Sequence, residues 1–236
     1  MLMIVEKEKF TEDFGRFGFN ITDEMYRKFR IYAELLVEWN EKMNLTAITD
    51  PMGISYKHFL DCLFVFKYVD IEENAKVIDV GTGAGFPGIV MKIFRPDLEI
   101  TLLDSLNKRI NFLKCVSDNI GEYFTFIHSR AEDGGKSYEL REKFDIAVAR
   151  AVASLPVLSE YCLPYVKTNG YFAALKGTNE NLDEAVNAVK LLGGKIERIE
   201  KYEYMDNSRS IAVIKKISHT PIKYPRNSSQ IKSKHL

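Results

Sequence analysis

Val77-Ile78-Asp79-Val80-Gly81-Thr82-Gly83-Ala84-Gly85-Phe86-Pro87-Gly88 decides the fold. A β-branched run breaks into a glycine-rich loop and leads on into an apolar helix. Missing Cβ atoms in that loop let the backbone come close to a ligand of nucleotide type. Gly83, Gly85 and Gly88 satisfy G-x-G-x-x-G, so an NAD-dependent oxidoreductase is one reading, and glycines serving only a tight turn are another. Two residues favour a different nucleoside. Asp79, at the end of the strand, would repel a pyrophosphate but suits ammonium and sulfonium groups. Pro87 removes a backbone donor where phosphate oxygens would need one. S-adenosylmethionine, cationic at sulfur and free of phosphate, fits Asp79, Gly83 and Gly85 better than a dinucleotide does.

Downstream, strand-like runs at Lys76–Val80, Glu99–Leu103, Tyr123–Ile127, Phe144–Val148 and Gly170–Leu175 alternate with segments long enough for crossover helices. This is the pattern of an α/β, Rossmann-like, mainly parallel sheet. Lys195–Tyr204 and Ile211–Ile217 are separated only by Met205–Ser210, too short for a crossover, and predict a terminal antiparallel hairpin. Asp104 follows the second strand, 19 positions after Gly85. That spacing suits a carboxylate on ribose hydroxyls, or equally a helix N-cap ahead of Ser105. Ser129-Arg130-Ala131-Glu132-Asp133 forms the next loop at the strands' carboxyl ends.

Upstream the period is helical. Thr22 is a plausible N-cap, and Met25, Phe29, Tyr32, Leu36 and Trp39 mark one buried face, on which Trp39 reads as core rather than as a base-stacking platform. Ile54–Tyr68 forms a second apolar segment after Asp50-Pro51 and Gly53. The expected organisation is therefore an N-terminal helical unit over 1–70, a Rossmann-like core over 71–218 and a basic, flexible tail over 219–236.

The 236 residues carry 33 basic and 33 acidic side chains, which excludes a polycation that coats nucleic acid. The zero is a cancellation: residues 207–236 hold seven basic residues and no acidic one, and the body before them is net −7. The basic end is either a solvated terminus or a polyanion contact, in which Arg209, Lys215 and Lys216 would take part. Cys62, Cys115 and Cys162 lie far apart and read as reduced core thiols. His58, His128, His219 and His235 stand at no metal-ligand spacing, so no metal is expected. Charge at Glu6 interrupts any signal-peptide core and no apolar run is long enough for a bilayer, so a cytoplasmic protein, without membrane contact and monomeric, is expected.

Taken together, Asp79–Gly88, Leu102–Arg109, Ser129–Asp133 and Arg150-Ala151 resemble the bacterial small-subunit (16S) ribosomal RNA guanine-N7 methyltransferases, the RsmG or GidB family. Trp39-Asn40-Glu41-Lys42-Met43-Asn44-Leu45-Thr46 and His58-Phe59-Leu60-Asp61 are similar to that family's N-terminal signatures, and the likeness runs from about residue 20 to 177. It implies a class I methyltransferase fold, S-adenosylmethionine as donor, and N7 of a guanine in 16S rRNA or the small ribosomal subunit as acceptor. It also implies that Gly81 and Phe86 line the cofactor, that Ala131 and Glu132 meet its adenine side, and that Arg150 stands between cofactor and substrate. Cys62 departs from the family, which usually has Ser there.

Guanine N7 presents an in-plane lone pair, so methyl transfer to it is an in-line displacement that needs no general base. This agrees with the lack of a Ser-His-Asp set or paired acids in the sequence. Catalysis then rests mainly on orientation. Arg150, as the catalytic candidate, either orients the base or a phosphate, or forms a structural ion pair with a carboxylate. Asn40, Lys42, Asn44, His58 and Asp61 read either as an RNA-facing edge or as caps and turns, with His58 a possible partner of Asp61 on one helix face. A cofactor-binding rRNA assembly factor without turnover is the remaining alternative.

Overall fold

A computed structural model describes residues 3–150, 153–177 and 183–236; Ala151, the second residue of the Arg150-Ala151 pair, lies outside them. Among the described residues seven strands form one sheet: β1 (Lys76–Val80), β2 (Glu99–Asp104), β3 (Thr125–His128), β4 (Phe144–Arg150), β5 (Val166–Lys176), β6 (Gly194–Tyr204) and β7 (Asn207–Lys216). Their order is β3-β2-β1-β4-β5-β7-β6. β1 to β5 pair in parallel, and β7 runs antiparallel to both β5 and β6. The strand order reverses between β1 and β4, which opens a crevice at their carboxyl ends, the place where open α/β sheets bind ligands.

Several expected boundaries move: β5 starts four residues early, at Val166, and β4 runs on to Arg150. β3 begins at Thr125, and Tyr123 is 90% exposed, because the chain is still leaving the preceding helix there. The hairpin loop shrinks from Met205–Ser210 to Met205 and Asp206, since Tyr204 pairs with Asn207 and both turn residues take positive φ (42° and 61°). Both signs match a type I′ turn, whose twist follows that of the strands.

The helices are α1 (Lys7–Arg16), α2 (Asp23–Met43), α3 (Asp61–Leu63), α4 (Val65–Tyr68), α5 (Gly88–Phe94), α6 (Asn107–Ile120), α7 (Ala131–Gly134), α8 (Leu155–Cys162), α9 (Asp183–Leu191) and α10 (Ser228–Ser233). Thr22 caps α2 by accepting from the Met25 amide at 3.2 Å. Phe29, Tyr32 and Leu36 are fully buried, and Trp39, partly buried, packs on Phe112 of α6 at 5.7 Å. The segment expected as a second helix opens as a π-helix over Gly53–Leu60. Its wider i→i+5 turns bury seven of its eight residues, which erases the one-sided periodicity of an α-helix. Phe10, Phe14 and Phe29 share one apolar cluster with Val77 and Leu102 of the sheet, so the helical unit covers one sheet face. α8 and α9 cover the other.

The segment 219–236 lies along α7 and α8. Arg226 donates from its backbone N, Nε and Nη2 to the Glu160 carboxylate at 2.7–3.2 Å, and Glu160 is 1% exposed. Lys216 is fully buried, donating to Leu163 O and Thr220 Oγ1 at 2.7 Å and facing Glu142 at 3.1 Å. Burial lowers its pKa to about 8, with Glu142 opposing. Lys216 is therefore a core cation rather than the polyanion contact expected, because its aliphatic stem and ammonium are both enclosed.

Candidate active site

The glycine loop is closed on itself. The amides of Gly81 and Thr82 donate to Leu103 O, those of Gly85 and Phe86 to Thr82 O, Gly83 N to Asp104 Oδ2 at 3.0 Å and Gly88 N to Asp79 Oδ2 at 2.8 Å. A pyrophosphate needs a fan of free N–H groups, and these six are already taken.

Asp79 stands behind the loop. It is fully buried, Oδ2 also accepts from Thr82 Oγ1 at 2.7 Å, and Oδ1 has no partner. Burial raises its pKa to about 7 against the pull of the Thr82 and Gly88 bonds and of Arg150. The residue expected to face a cationic ligand thus ties the two ends of the loop together from the rear, outside the cavity lining. Gly85 is likewise outside the lining: at φ 98° its Cβ would lie 2.5 Å from Ile89 Cδ1 and 2.9 Å from Tyr32 Oη. Tyr32 Oη donates to Ala84 O at 2.5 Å, so Gly85 lets α2 press on the loop.

In front of the loop lies a cavity of about 500 Å³ that brings together Gly81, Gly83, Phe86, Asp104, Ala131, Glu132 and Arg150. Asp104, 2% exposed, accepts from Gly83 N, from Leu106 N at 2.9 Å and from Arg109 Nη1 at 3.2 Å. It does not N-cap the helix, because α6 begins at Asn107 with Leu106 at the cap. Glu132 of α7 is 4% exposed and its Oε1 has no hydrogen-bond partner. A buried acceptor without a partner on a residue of the cavity wall suits a hydroxyl or amino donor of a ligand. Gly83, at φ 59°, would have only Gly81 O, at 3.9 Å, beside an added Cβ, so a ligand can come close to its backbone.

The opposite flank is a dense polar cluster around a cation. Arg150, at the end of β4, donates to Asp61 Oδ2 at 3.0 Å, to the carbonyls of Lys57 and His58 at 3.2 and 3.4 Å, and to His58 Nδ1 at 2.7 Å. Its guanidinium lies 4.9 Å from the Phe86 ring centroid, on which the His58 ring also stacks at 4.5 Å. Burial, then Arg150, lowers the His58 pKa to about 3, so the imidazole is neutral at pH 7. With Nδ1 accepting from Arg150, the proton sits on Nε2, which donates to Thr46 Oγ1 at 2.8 Å. The expected His58–Asp61 pair does not form: Arg150 stands between them, and Asp61 Oδ1 accepts from Tyr202 Oη at 3.2 Å. Cys62 lies 3.5 Å from Arg150 Nη1, and burial pushes its pKa to about 12, which keeps it a thiol.

Asn40 Oδ1 accepts from Thr46 N at 2.8 Å, and Asn44 is the left-handed C-cap of α2 (φ 47°), so both build the turn that carries Thr46. Thr46 is marked in the sequence only by its place in the Trp39–Thr46 stretch, and Tyr161, Ser228 and Lys232 carry no sequence signal for the cavity wall to which they contribute. Among the described residues no group of three or more His, Cys, Asp or Glu could hold a metal ion, and no helix is long and apolar enough to cross a membrane.

The rRNA small subunit methyltransferase G (GidB) family matches residues 25–212. The chain belongs to that family. It is 50% identical over 224 residues to ribosomal RNA small subunit methyltransferase G of Clostridium perfringens strain 13, covering 93% of this chain and 94% of that one. With the protein of the same name from Clostridium beijerinckii it shares 51% over 219 residues, 91% and 92% of the two chains. Among solved structures, a class I S-adenosylmethionine-dependent methyltransferase from Listeria monocytogenes superposes with a TM-score of 0.58 at 15% identity, over 87% of this chain and 77% of that one. The fold is that of the class I methyltransferases. The GidB match ends before the segment 219–236.

Proposed function

We infer that the chain is an S-adenosylmethionine-dependent methyltransferase of small-subunit ribosomal RNA, acting in the cytoplasm as a monomer, and that its acceptor is N7 of a guanine in 16S rRNA. The observation that carries this reading is the convergence of Gly81, Gly83, Phe86, Asp104, Ala131 and Glu132 on one cavity with an open buried acceptor, in a chain of the GidB family. The closed amides of the loop argue against a pyrophosphate, and so against the dinucleotide reading.

When bound, S-adenosylmethionine would supply an electrophilic methyl group for the lone pair of N7, with S-adenosylhomocysteine as the leaving group. Asp104 holds the loop and would be the carboxylate that meets the ribose hydroxyls. Glu132 Oε1 and Ala131 form the purine side. Gly81 and Gly83 let the backbone approach the ligand, with Asp79 and Gly85 supporting the loop from behind. Phe86 walls the reacting end, where the fixed Arg150 guanidinium orients the incoming guanine or its phosphate. The His58 ring, neutral and held from both nitrogens, adds no charge and takes no proton. Such positioning is worth about 7–11 kcal/mol where two reactants are held in line. Residues 1–70 serve as a buttress for the loop rather than a separate catalytic unit, with 71–218 as the catalytic core.

The test is tritiated methyl transfer to small ribosomal subunits, and to their naked RNA, from cells lacking the endogenous enzyme. Label recovered in N7-methylguanosine of 16S rRNA is the expected result. A folded protein that binds S-adenosylhomocysteine but transfers nothing to either substrate would leave the assembly-factor alternative.

A further inference from the structure

We propose that residues 226–233 form a wall of the cofactor cavity, and that their docking sets the affinity for the adenosine end of the cofactor. The inference rests on the cavity being the S-adenosylmethionine site.

Ser228 and Lys232 of α10 line the same cavity as Ala131, Glu132 and Tyr161. They reach it because the segment grips both elements that build that side. Arg141 donates to Gly135 O, just after α7, and to Thr220 O and Tyr224 O of the segment at 2.6–2.9 Å. Pro225 abuts Gly135 so closely that a Cβ there would lie 3.2 Å from Pro225 Cγ. Arg226 then locks onto Glu160 of α8, the helix that presents Leu158 and Tyr161 to the cavity.

Beyond this lock, Asn227 and Gln230 form a reciprocal capping box and Ile231 is 1% exposed, so the short α10 is held by one apolar anchor and one cap. A buried ion pair contributes little net stability against an apolar replacement; its strength is in fixing geometry. Here the geometry it fixes is the approach of α10 to Ala131 and Glu132. A pre-docked wall removes an ordering cost from ligand binding and excludes water from one edge of the purine.

The test uses the full chain. In the wild type, S-adenosylhomocysteine should increase amide exchange protection over 227–234. Ile231→Asp, which releases α10, should weaken S-adenosylhomocysteine binding by about tenfold or more, since the wall's ordering cost then falls on binding. The cofactor KM should rise while kcat at saturating cofactor stays within about twofold, a split that separates positioning from chemistry. Ile231→Leu should restore affinity. Ser228→Trp, which adds bulk on the cavity side without touching the anchor, should also weaken binding and serves if Ile231→Asp does not fold. Ile231→Asp with α10 released, as shown by lost exchange protection, yet binding within twofold of wild type, would overturn the proposal alone. A folded wild type that does not bind S-adenosylhomocysteine would overturn the cofactor reading and this inference with it.

Discussion

The two flanks of the cavity are built on opposite plans. On the Arg150 flank the polar groups are satisfied by the protein itself: the guanidinium reaches Asp61, His58 and two carbonyls, and His58 in turn reaches Thr46. On the Glu132 flank a residue of the cavity wall keeps a buried carboxylate oxygen with no partner. One side is internally satisfied, whereas the other keeps an acceptor that the proposed cofactor would use. The Arg150 cluster should therefore contribute to folding as well as to the reaction, and Glu132 to binding at some cost to folding.

Arg150→Ala puts this contrast under the greatest strain. It takes from Asp61 its nearest cation, leaving only Tyr202 and the more distant Arg209, and removes the donor to His58, so urea unfolding should show a loss of about 3 kcal/mol and methyl transfer should fall to background. Unchanged stability would mean that the flank is not held by its ion pair. Glu132→Gln should do the reverse: calorimetry with S-adenosylhomocysteine should show a loss of about 1.5–3 kcal/mol, with stability equal or higher. A matching loss of stability would erase the difference between the flanks.

Titration gives a finer probe. Asp79 binds its proton at about 7 when folded against a reference of 3.8, so the folded state holds more protons between these values and the Asp79 contribution to stability falls as pH rises through that window. His58, at about 3 when folded against 6.5, binds its proton more readily when unfolded, and its contribution rises with pH from 3 to 6.5. The opposed slopes hide each other in the wild type. Urea unfolding across pH 4–7 should show Asp79→Asn removing the decline and His58→Asn removing the rise. The smallest effect belongs to Arg209, 3.8 Å from Asp61 and 30% exposed, where Arg209→Ala should change stability by less than about 1 kcal/mol. If Arg209 also meets a phosphate, the same variant lowers the salt slope of RNA binding by about 0.7.

The parallel sheet, the hairpin and the glycine loop were legible because each has a local signature in period, connection length or residue type. The Met205-Asp206 turn was not, because neither residue is the Asn or Gly that usually supplies positive φ there. The π-helix over Gly53–Leu60 hid because its burial runs all the way round. Asp79, Gly83, Gly85 and Asp104 were found by spacing, but spacing could not say which side of the loop a carboxylate takes. Asp79 went behind it because Thr82 and Gly88 offer donors there. The partners of Arg150 and the approach of α10 were illegible for a common reason: they join residues far apart in sequence, and a polar residue carries no mark of which distant group it will meet.

The bond from Tyr202 to Asp61 spans 141 residues and that from Arg150 to Asp61 spans 89. Closing loops of that length costs entropy before any contact repays it, so folding that depends on them is slow. The β-hairpin must dock before Asp61 has its full set of partners. The finished flank of the cavity thus depends on chain closure over most of the sequence, and a chain cut short of the hairpin would hold Asp61 without its Tyr202 partner.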